Sequence, residues 1–378
     1  MDQLFGPKKL VILDGGFGTT LEDVFHYDIS HTPLWSARPI DLDPEVIINT
    51  HLAFLRTGAR VILTSTYQCA FSTFERAGYT LTDAKRIMRK SVLLAQEART
   101  RFLQERSDIT SEDIKIALSL GPFGATLSPA QEFDGFYPPP YGPQGFVPDS
   151  GENRNAFNHL EQGGEGEAID ALAIFHEERL KVFLEDDEVW SKVDCVAFET
   201  VPLRREISAI RKAMAAVALN AKDGMKPWWI STVFPDGNFP AEKTPGGDRF
   251  SIQEVIQNVF QAGADEDGAI PDGFGINCTS LEFLASLIAE AEAALARISL
   301  SKRPWLVLYP NGGDTYDPAS QTWNRQREVK GVTWAHDLVR IVNSGSQRDV
   351  WGGRIVGGCC RTGPAEIEAL VRGFEFGL

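Results

Sequence analysis

The residues with the sharpest chemistry are three cysteines: Cys278 in the run GINCTS, and the adjacent pair Cys359 and Cys360 in GGCCRTGP. Thiolate sulfur is a soft ligand that favours zinc. Three protein sulfurs on one tetrahedral ion leave a fourth position for substrate, which is the arrangement of a catalytic rather than a structural zinc. Neighbouring residues of a regular strand point to opposite faces, so Cys359 and Cys360 reach one ion only if the strand has ended before them. Gly357 and Gly358, immediately upstream, permit a bulge or sharp turn there because glycine accepts backbone angles that other residues avoid. Free cysteine is also a common core residue, so on residue type alone the trio reads equally as a metal site or as packing. Cys195, inside an apolar run, and Cys69, with no paired cysteine, read as core. Five cysteines, two of them adjacent, make a poor disulfide framework, and reduced thiols are expected.

Positioning such a trio requires elements that end near one another. Short apolar, β-branched runs begin near Val11, Val61, Ile114, Cys195, Trp228, Phe274, Trp305 and Arg354. Helical spacing follows between them: Pro44 to Gly58, with proline suited to the first turn and glycine to the stop, and stretches after Leu81, Ala168, Leu203, Ser251, Leu281 and Pro364. Strands alternating with helices imply parallel βαβ units, and eight of them close into a (β/α)8 TIM barrel; an open doubly wound sheet is the alternative. Closure is favoured because polar or special residues sit at the ends of nearly all the runs: Asp14, Tyr67, Gly121, Glu199, Asn277 with Cys278, Asn311, and Cys359 with Cys360. Residues 1–378 read as one barrel domain, with loop insertions at 128–166 after the third strand and 235–250 after the fifth, both rich in Gly, Pro and aromatics.

A chain of 378 residues with 43% hydrophobic and 24% charged residues has the composition of an ordinary globular protein. Its formal net charge of -15, without a Lys/Arg cluster, argues against nucleic acid and anionic membranes as partners. No stretch has the apolar length of a membrane span, so a cytoplasmic location and small-molecule partners are expected; no oligomeric state is read from the sequence. GGFGTT lacks the third glycine of a dinucleotide fingerprint and the Gly-Lys-Ser/Thr of a P-loop. The six histidines have no metal spacing, and His176 in FHEER reads as a helix residue.

Seven motifs in order, LDGGFGTTLE, PLWSAR, TSTYQ, AFETVP, GINCTS, YPNGGDTYD and GGCCRT, carry a resemblance over nearly the whole chain. The chain resembles the zinc-dependent homocysteine S-methyltransferases, in particular those using S-methylmethionine or S-adenosylmethionine. The resemblance implies a zinc ion held by Cys278, Cys359 and Cys360, with homocysteine supplying the fourth sulfur. It implies that Asp14 and Glu199 bind the ammonium of homocysteine, and that backbone N–H groups near Phe17, Gly18 and Thr19 receive its carboxylate. Tyr67, with Trp35 and Phe17, would face a cationic donor, since aromatic rings attract cations, or would be simply core; Asn277 and Asn311 would shape the site by hydrogen bonding or only terminate their strands. Thr200 stands where the betaine-using branch has an aromatic residue, which counts against betaine, and no length remains for cobalamin and folate modules. Two other functions compete: a zinc hydrolase, disfavoured because such sites lean on histidine and carboxylate ligands, and a non-catalytic thiol or metal sensor on the same fold.

Overall fold

The computed structural model describes residues 1–29, 32–148, 152–161, 163–219, 221, 224–261, 268–313, 315–317, 322–324, 331–344 and 350–376. Asp314 of YPNGGDTYD and residues 149–151 and 162 of the first expected insertion lie outside these.

Eight parallel strands form one sheet: β1 (Leu10–Ile12), β2 (Val61–Leu63), β3 (Lys115–Leu120), β4 (Cys195–Val201), β5 (Trp228–Thr232), β6 (Gly273–Asn277), β7 (Trp305–Tyr309) and β8 (Arg354–Val356). The order around the sheet is β1-β8-β7-β6-β5-β4-β3-β2. The seam between β1 and β2 is bridged by the parallel pair Leu13 and Val61 and by bonds from Arg60 N to Ile12 O (2.8 Å) and Asp14 N to Val61 O (3.0 Å). The protein is therefore a (β/α)8 barrel.

Strand alternation sorts the side chains into two cores. Val11, Leu13, Val61, Leu63, Ala117, Cys195, Ala197, Trp229, Trp305, Val307, Tyr309 and Ile355 pack together inside the barrel. Their neighbours Ile62, Ile116, Leu118, Val196, Phe198, Ile230, Phe274, Ile276, Leu306, Leu308 and Val356 pack outward against the helices. The two interior tryptophans need room, and β6 supplies it. A Cβ on Gly273 would lie 3.2 Å from Trp229 Cβ and 3.0 Å from Trp305 O, and one on Gly275 would lie 2.9 Å from Ser231 Cβ. At about 150–250 Å² per aromatic and about 25 cal/mol/Å², each buried tryptophan contributes roughly 4–6 kcal/mol of transfer free energy.

The outer helices start where the sequence can cap them. Thr80 Oγ1 accepts from Asp83 N at 3.2 Å while Asp83 reaches back to Thr80 N, opening Leu81–Glu105; Ser251 and Glu254 do the same for Ile252–Phe260. Pro44 begins Pro44–Arg56, and Gly58, at φ +108°, turns the chain out of it. Between β7 and β8 lies a helix, Val332–Ser344, that the sequence reading did not name; its buried Trp334, Leu338 and Val342 recur every fourth residue. A two-stranded ladder, Thr315–Asp317 with Thr322–Asn324, precedes it. The helix after β3 begins at Gly164, so the last three residues of 128–166 are helical. No described helix is long and apolar enough to cross a membrane.

Candidate metal and substrate site

Cys278 follows β6, and Cys359 and Cys360 follow β8 by three and four residues, so all three lie beyond the regular strands at the barrel's C-terminal end. The strand has ended before the pair, as expected, but Gly357 and Gly358 make no turn there. Neither Gly357 nor Gly358 has a positive φ; both are required for close approach. A Cβ on Gly357 would meet Asp14 O at 2.5 Å, and one on Gly358 would strike the Thr362 side chain. The departure from alternation falls on Cys278 itself, at φ +47°. That left-handed residue costs on the order of 1–3 kcal/mol and turns the cysteine toward the side where the inward-facing Asn277 already points.

The three Sγ atoms lie within 4.8 Å of one another, and they are the one such ligand cluster among the described residues. Cys278 and Cys359, 81 residues apart, are joined as a disulfide, which corrects the expectation of reduced thiols throughout. Convergence is the reason: two thiols aimed at one point are also placed to oxidise. Cys69, Cys195 and Cys360 are free. A tetrahedral zinc with Zn–S near 2.3 Å needs sulfurs about 3.8 Å apart, so the trio fits such an ion once the disulfide is reduced. Burial, then the charges of Glu132 and Glu199, push the Cys360 thiol up to about 12, so without a cation it is protonated at neutral pH.

Two carboxyl groups lie beside the sulfurs. Alternation along β4 turns Glu199 inward with Cys195 and Ala197, and Ser119 Oγ donates to its Oε1 through a short contact. Burial raises its pKa to about 7. Asp14, fully buried after β1, accepts from Leu63 N at 2.8 Å through Oδ2, while Oδ1 is buried with no partner among the described residues. Desolvation first, and the neighbouring Glu199 charge next among the raising influences, hold it well above the usual carboxylate range. Two neighbouring buried carboxyl groups, one of them raised by the charge of the other and left with an orphaned oxygen, have the chemistry to receive a cation such as an ammonium.

The helix Phe17–Asp23 begins beside this pair, and its first N–H groups, those of Phe17, Gly18 and Thr19, have no intrahelical acceptor. Thr19 Oγ1 accepts from Arg361 N at 3.0 Å, and Gly16 N donates to Thr362 O at 2.8 Å, which ties this turn to the Cys359–Cys360 loop. The Trp35 ring covers Gly18, where any side chain would collide with it.

Asn277 is engaged by the protein. Its Oδ1 accepts from Thr200 N at 2.9 Å and its Nδ2 donates to Thr200 Oγ1 at 2.7 Å, with Nδ2 also 3.5 Å from Cys278 Sγ. The clamp holds Thr200 at φ +56°, an outlier for a β-branched residue, where the β4–β5 register shifts. Asn311 N donates to Thr279 O at 3.2 Å. Tyr67, half-buried after β2, is braced from behind: Arg179, buried and without a carboxylate partner among the described residues, donates to Tyr67 O (3.0 Å), Cys69 O (2.8 Å) and Gly121 O (2.7 Å). His176 is fully buried and pairs with Glu206 Oε1 at 3.0 Å, and Glu206 also accepts from Phe123 N and Tyr137 Oη. That network anchors the segment after β3. Asn155 joins this segment to the one after β5: its Nδ2 donates to Asp134 O (2.7 Å) and Pro240 O (2.9 Å), and its Oδ1 accepts from Glu242 N (2.9 Å). Sequence reasoning passed over Ser119, Arg179, Glu206 and Glu132. The one signal for Ser119 was its inward place in the alternation of KIALSL; the others are polar residues on helices or loops with nothing local to mark them.

A family model described as homocysteine S-methyltransferase matches residues 11–374. The chain is 30% identical to homocysteine S-methyltransferase 1 of Brassica oleracea var. italica, over 96% of this chain and 92% of that protein. It is 29% identical to selenocysteine Se-methyltransferase of the same plant, over 95% and 87%. The metallated form of the Escherichia coli homocysteine methyltransferase MmuM superposes with a TM-score of 0.67 at 25% identity, covering 97% of each chain.

Proposed function

The chain belongs to the homocysteine S-methyltransferase family and is a methyltransferase, and on that premise we propose that it transfers a methyl group from a sulfonium donor, S-methylmethionine or S-adenosylmethionine, to L-homocysteine in a zinc-dependent reaction that yields methionine. The observation that carries this reading is the meeting of three sulfurs within 4.8 Å beside the buried Asp14 and Glu199. Cys278, Cys359 and Cys360 would hold the zinc, which when bound keeps the substrate sulfur as a thiolate at neutral pH.

The remaining work belongs to the chain. Asp14 and Glu199 bind the substrate ammonium, and its charge draws both carboxyl groups to the ionised form. The N–H groups of Phe17, Gly18 and Thr19 receive the substrate carboxylate. Asn277 acts through Thr200, holding the end of β4 and therefore Glu199 in place. Tyr67 faces the donor. The substrate sulfur attacks the donor methyl carbon, a new S–C bond forms, the donor S–C bond breaks, and a neutral thioether leaves. Charge disappears along the path, so catalysis reduces largely to alignment, for which oriented reactants gain several kcal/mol. The partners are small molecules, with no part for nucleic acid or membrane, and the reaction takes place in the cytoplasm.

Purified protein supplied with homocysteine and S-methylmethionine is expected to form methionine, to stop on chelation under reducing conditions, and to recover with zinc. Zinc-loaded protein that forms no methionine from S-methylmethionine or S-adenosylmethionine overturns the proposal.

A further inference from the structure

One acidic residue near the sulfurs has no task in the mechanism above. Glu132 lies on the segment after β3, and its Oε2 is buried with no hydrogen-bond partner among the described residues. Its backbone is held on both sides. Gln131 N donates to Gly124 O at 2.9 Å, and Asp134 O accepts from Asn155 at 2.7 Å. Tyr137, five residues on, is tied to the buried Glu206. A carboxylate on a backbone held this firmly, with a buried oxygen left over, is placed to receive something outside the chain.

Backbone contacts place it. Gly121 N donates to Tyr67 O at 3.0 Å, and three residues on Gly124 O accepts from Gln131 N, which seats the Glu132 segment on the Tyr67 side of the barrel end; Tyr67 in turn feels the negative charge of Glu132 and, less, of Glu199. Two acidic regions therefore lie at this end of the barrel, Asp14 with Glu199 and, apart from them in the chain, Glu132, with Tyr67 adjoining both. The Asp14–Glu199 region takes the acceptor's ammonium under the function proposed above, on which this inference rests. The Glu132 region is left for the donor.

The donor carries two kinds of positive charge. Its sulfonium charge vanishes in the transition state, so a carboxylate paired to it would stabilise the ground state more and slow the reaction. The α-ammonium of an amino-acid donor keeps its charge throughout, and a carboxylate there holds the donor without opposing transfer. We infer that Glu132 binds the α-ammonium of the sulfonium donor and so selects amino-acid donors over simple sulfonium ions.

The test compares the zinc-loaded wild type with Glu132→Gln and Glu132→Asp, using S-methylmethionine and its deamino analogue 4-(dimethylsulfonio)butanoate at saturating homocysteine. Because a hydrogen bond to a charged group is worth about 1.5–3 kcal/mol, Glu132→Gln should raise the S-methylmethionine KM by at least about tenfold. Its kcat, homocysteine KM, bound zinc and melting temperature should be near wild type, and Glu132→Asp should fall between. KM for the deamino analogue should be the same in wild type and Glu132→Gln. An equal rise for both donors, no rise, or a rise in homocysteine KM overturns the inference while wild-type turnover leaves the proposed function standing. Absence of methionine from the wild type removes both.

Discussion

The two ends of the barrel follow different rules. At the lower end, Met1 and Phe5 fill the bottom of the interior, the Phe5 ring stands 5.0 Å from Trp305, and Trp305 Nε1 donates to Asp2 at 3.1 Å. Apolar groups touch apolar groups, and the indole N–H has its partner. At the upper end, Asp14 keeps an orphaned oxygen and is held high by burial and then by the charge of Glu199, and three sulfurs crowd one point. The positive-φ residues other than glycine among the described ones, His26, Trp35, Thr200, Cys278 and Arg361, all fall at or after the C-terminal ends of strands. Regular structure is thus given up at the end that carries the sulfurs and the buried carboxyl groups, while the lower end is closed by apolar packing.

That contrast predicts opposite responses to mutation. The largest is expected at the sulfurs: Cys278→Ser, Cys359→Ser and Cys360→Ser should each lose bound zinc and lower kcat/KM by at least about a thousandfold, with far-UV circular dichroism unchanged. A single variant keeping full zinc and activity removes that residue from the ligand set. Next, Glu199→Gln and Asp14→Asn should raise the homocysteine KM by about a hundredfold, since each strips a charge-assisted bond from a buried ammonium, while the unliganded protein becomes no less stable. Phe5→Ala should reverse the pattern, costing roughly 3 kcal/mol of unfolding free energy with kcat/KM within about twofold of wild type; a large kinetic defect there would break the division between the ends.

The smallest effect concerns pH. Glu199, raised from 4.5 to about 7 in the ligand-free site, is protonated below that value, and an ammonium must expel the proton to bind. Glu199 should therefore contribute about a tenfold fall in homocysteine affinity per pH unit below 7, and Glu199→Gln should make the pH dependence less steep. For folding the sign is the same as for any acid with a raised native pKa. The contribution from Glu199 is fully present below its unfolded value of 4.5 and is lost as pH rises through about 7, so homocysteine should stabilise the protein most above neutrality. A pH-independent affinity between 6 and 7 would mean Glu199 does not meet the ammonium.

Much of the barrel was legible because strand alternation and helix caps are local signals. The expected starts at Val61, Cys195, Trp228, Trp305 and Arg354 match the strands, and those at Val11, Ile114 and Phe274 lie one residue away. The convergence of Cys278, Cys359 and Cys360 was readable once strand ends were placed on one face. Other features depend on contacts that no local pattern encodes. The Cys278–Cys359 bond, the Asn277–Thr200 clamp and the three carbonyls braced by Arg179 each join residues tens of positions apart. The role of Gly357 and Gly358 was misassigned for the same reason: spacing marks a turn, but the neighbours that exclude a Cβ become known only when Asp14 and Thr362 are placed beside it.

The carboxamide of Asn155 makes the two long excursions of the chain a single inherited unit. Shortening either one alone would leave Asn155 or its carbonyl and amide partners without a mate in a dry environment, a penalty of about 1–3 kcal/mol for each stranded group. Chimeras that exchange surface segments with shorter relatives should therefore tolerate replacement of both pieces together better than replacement of either one.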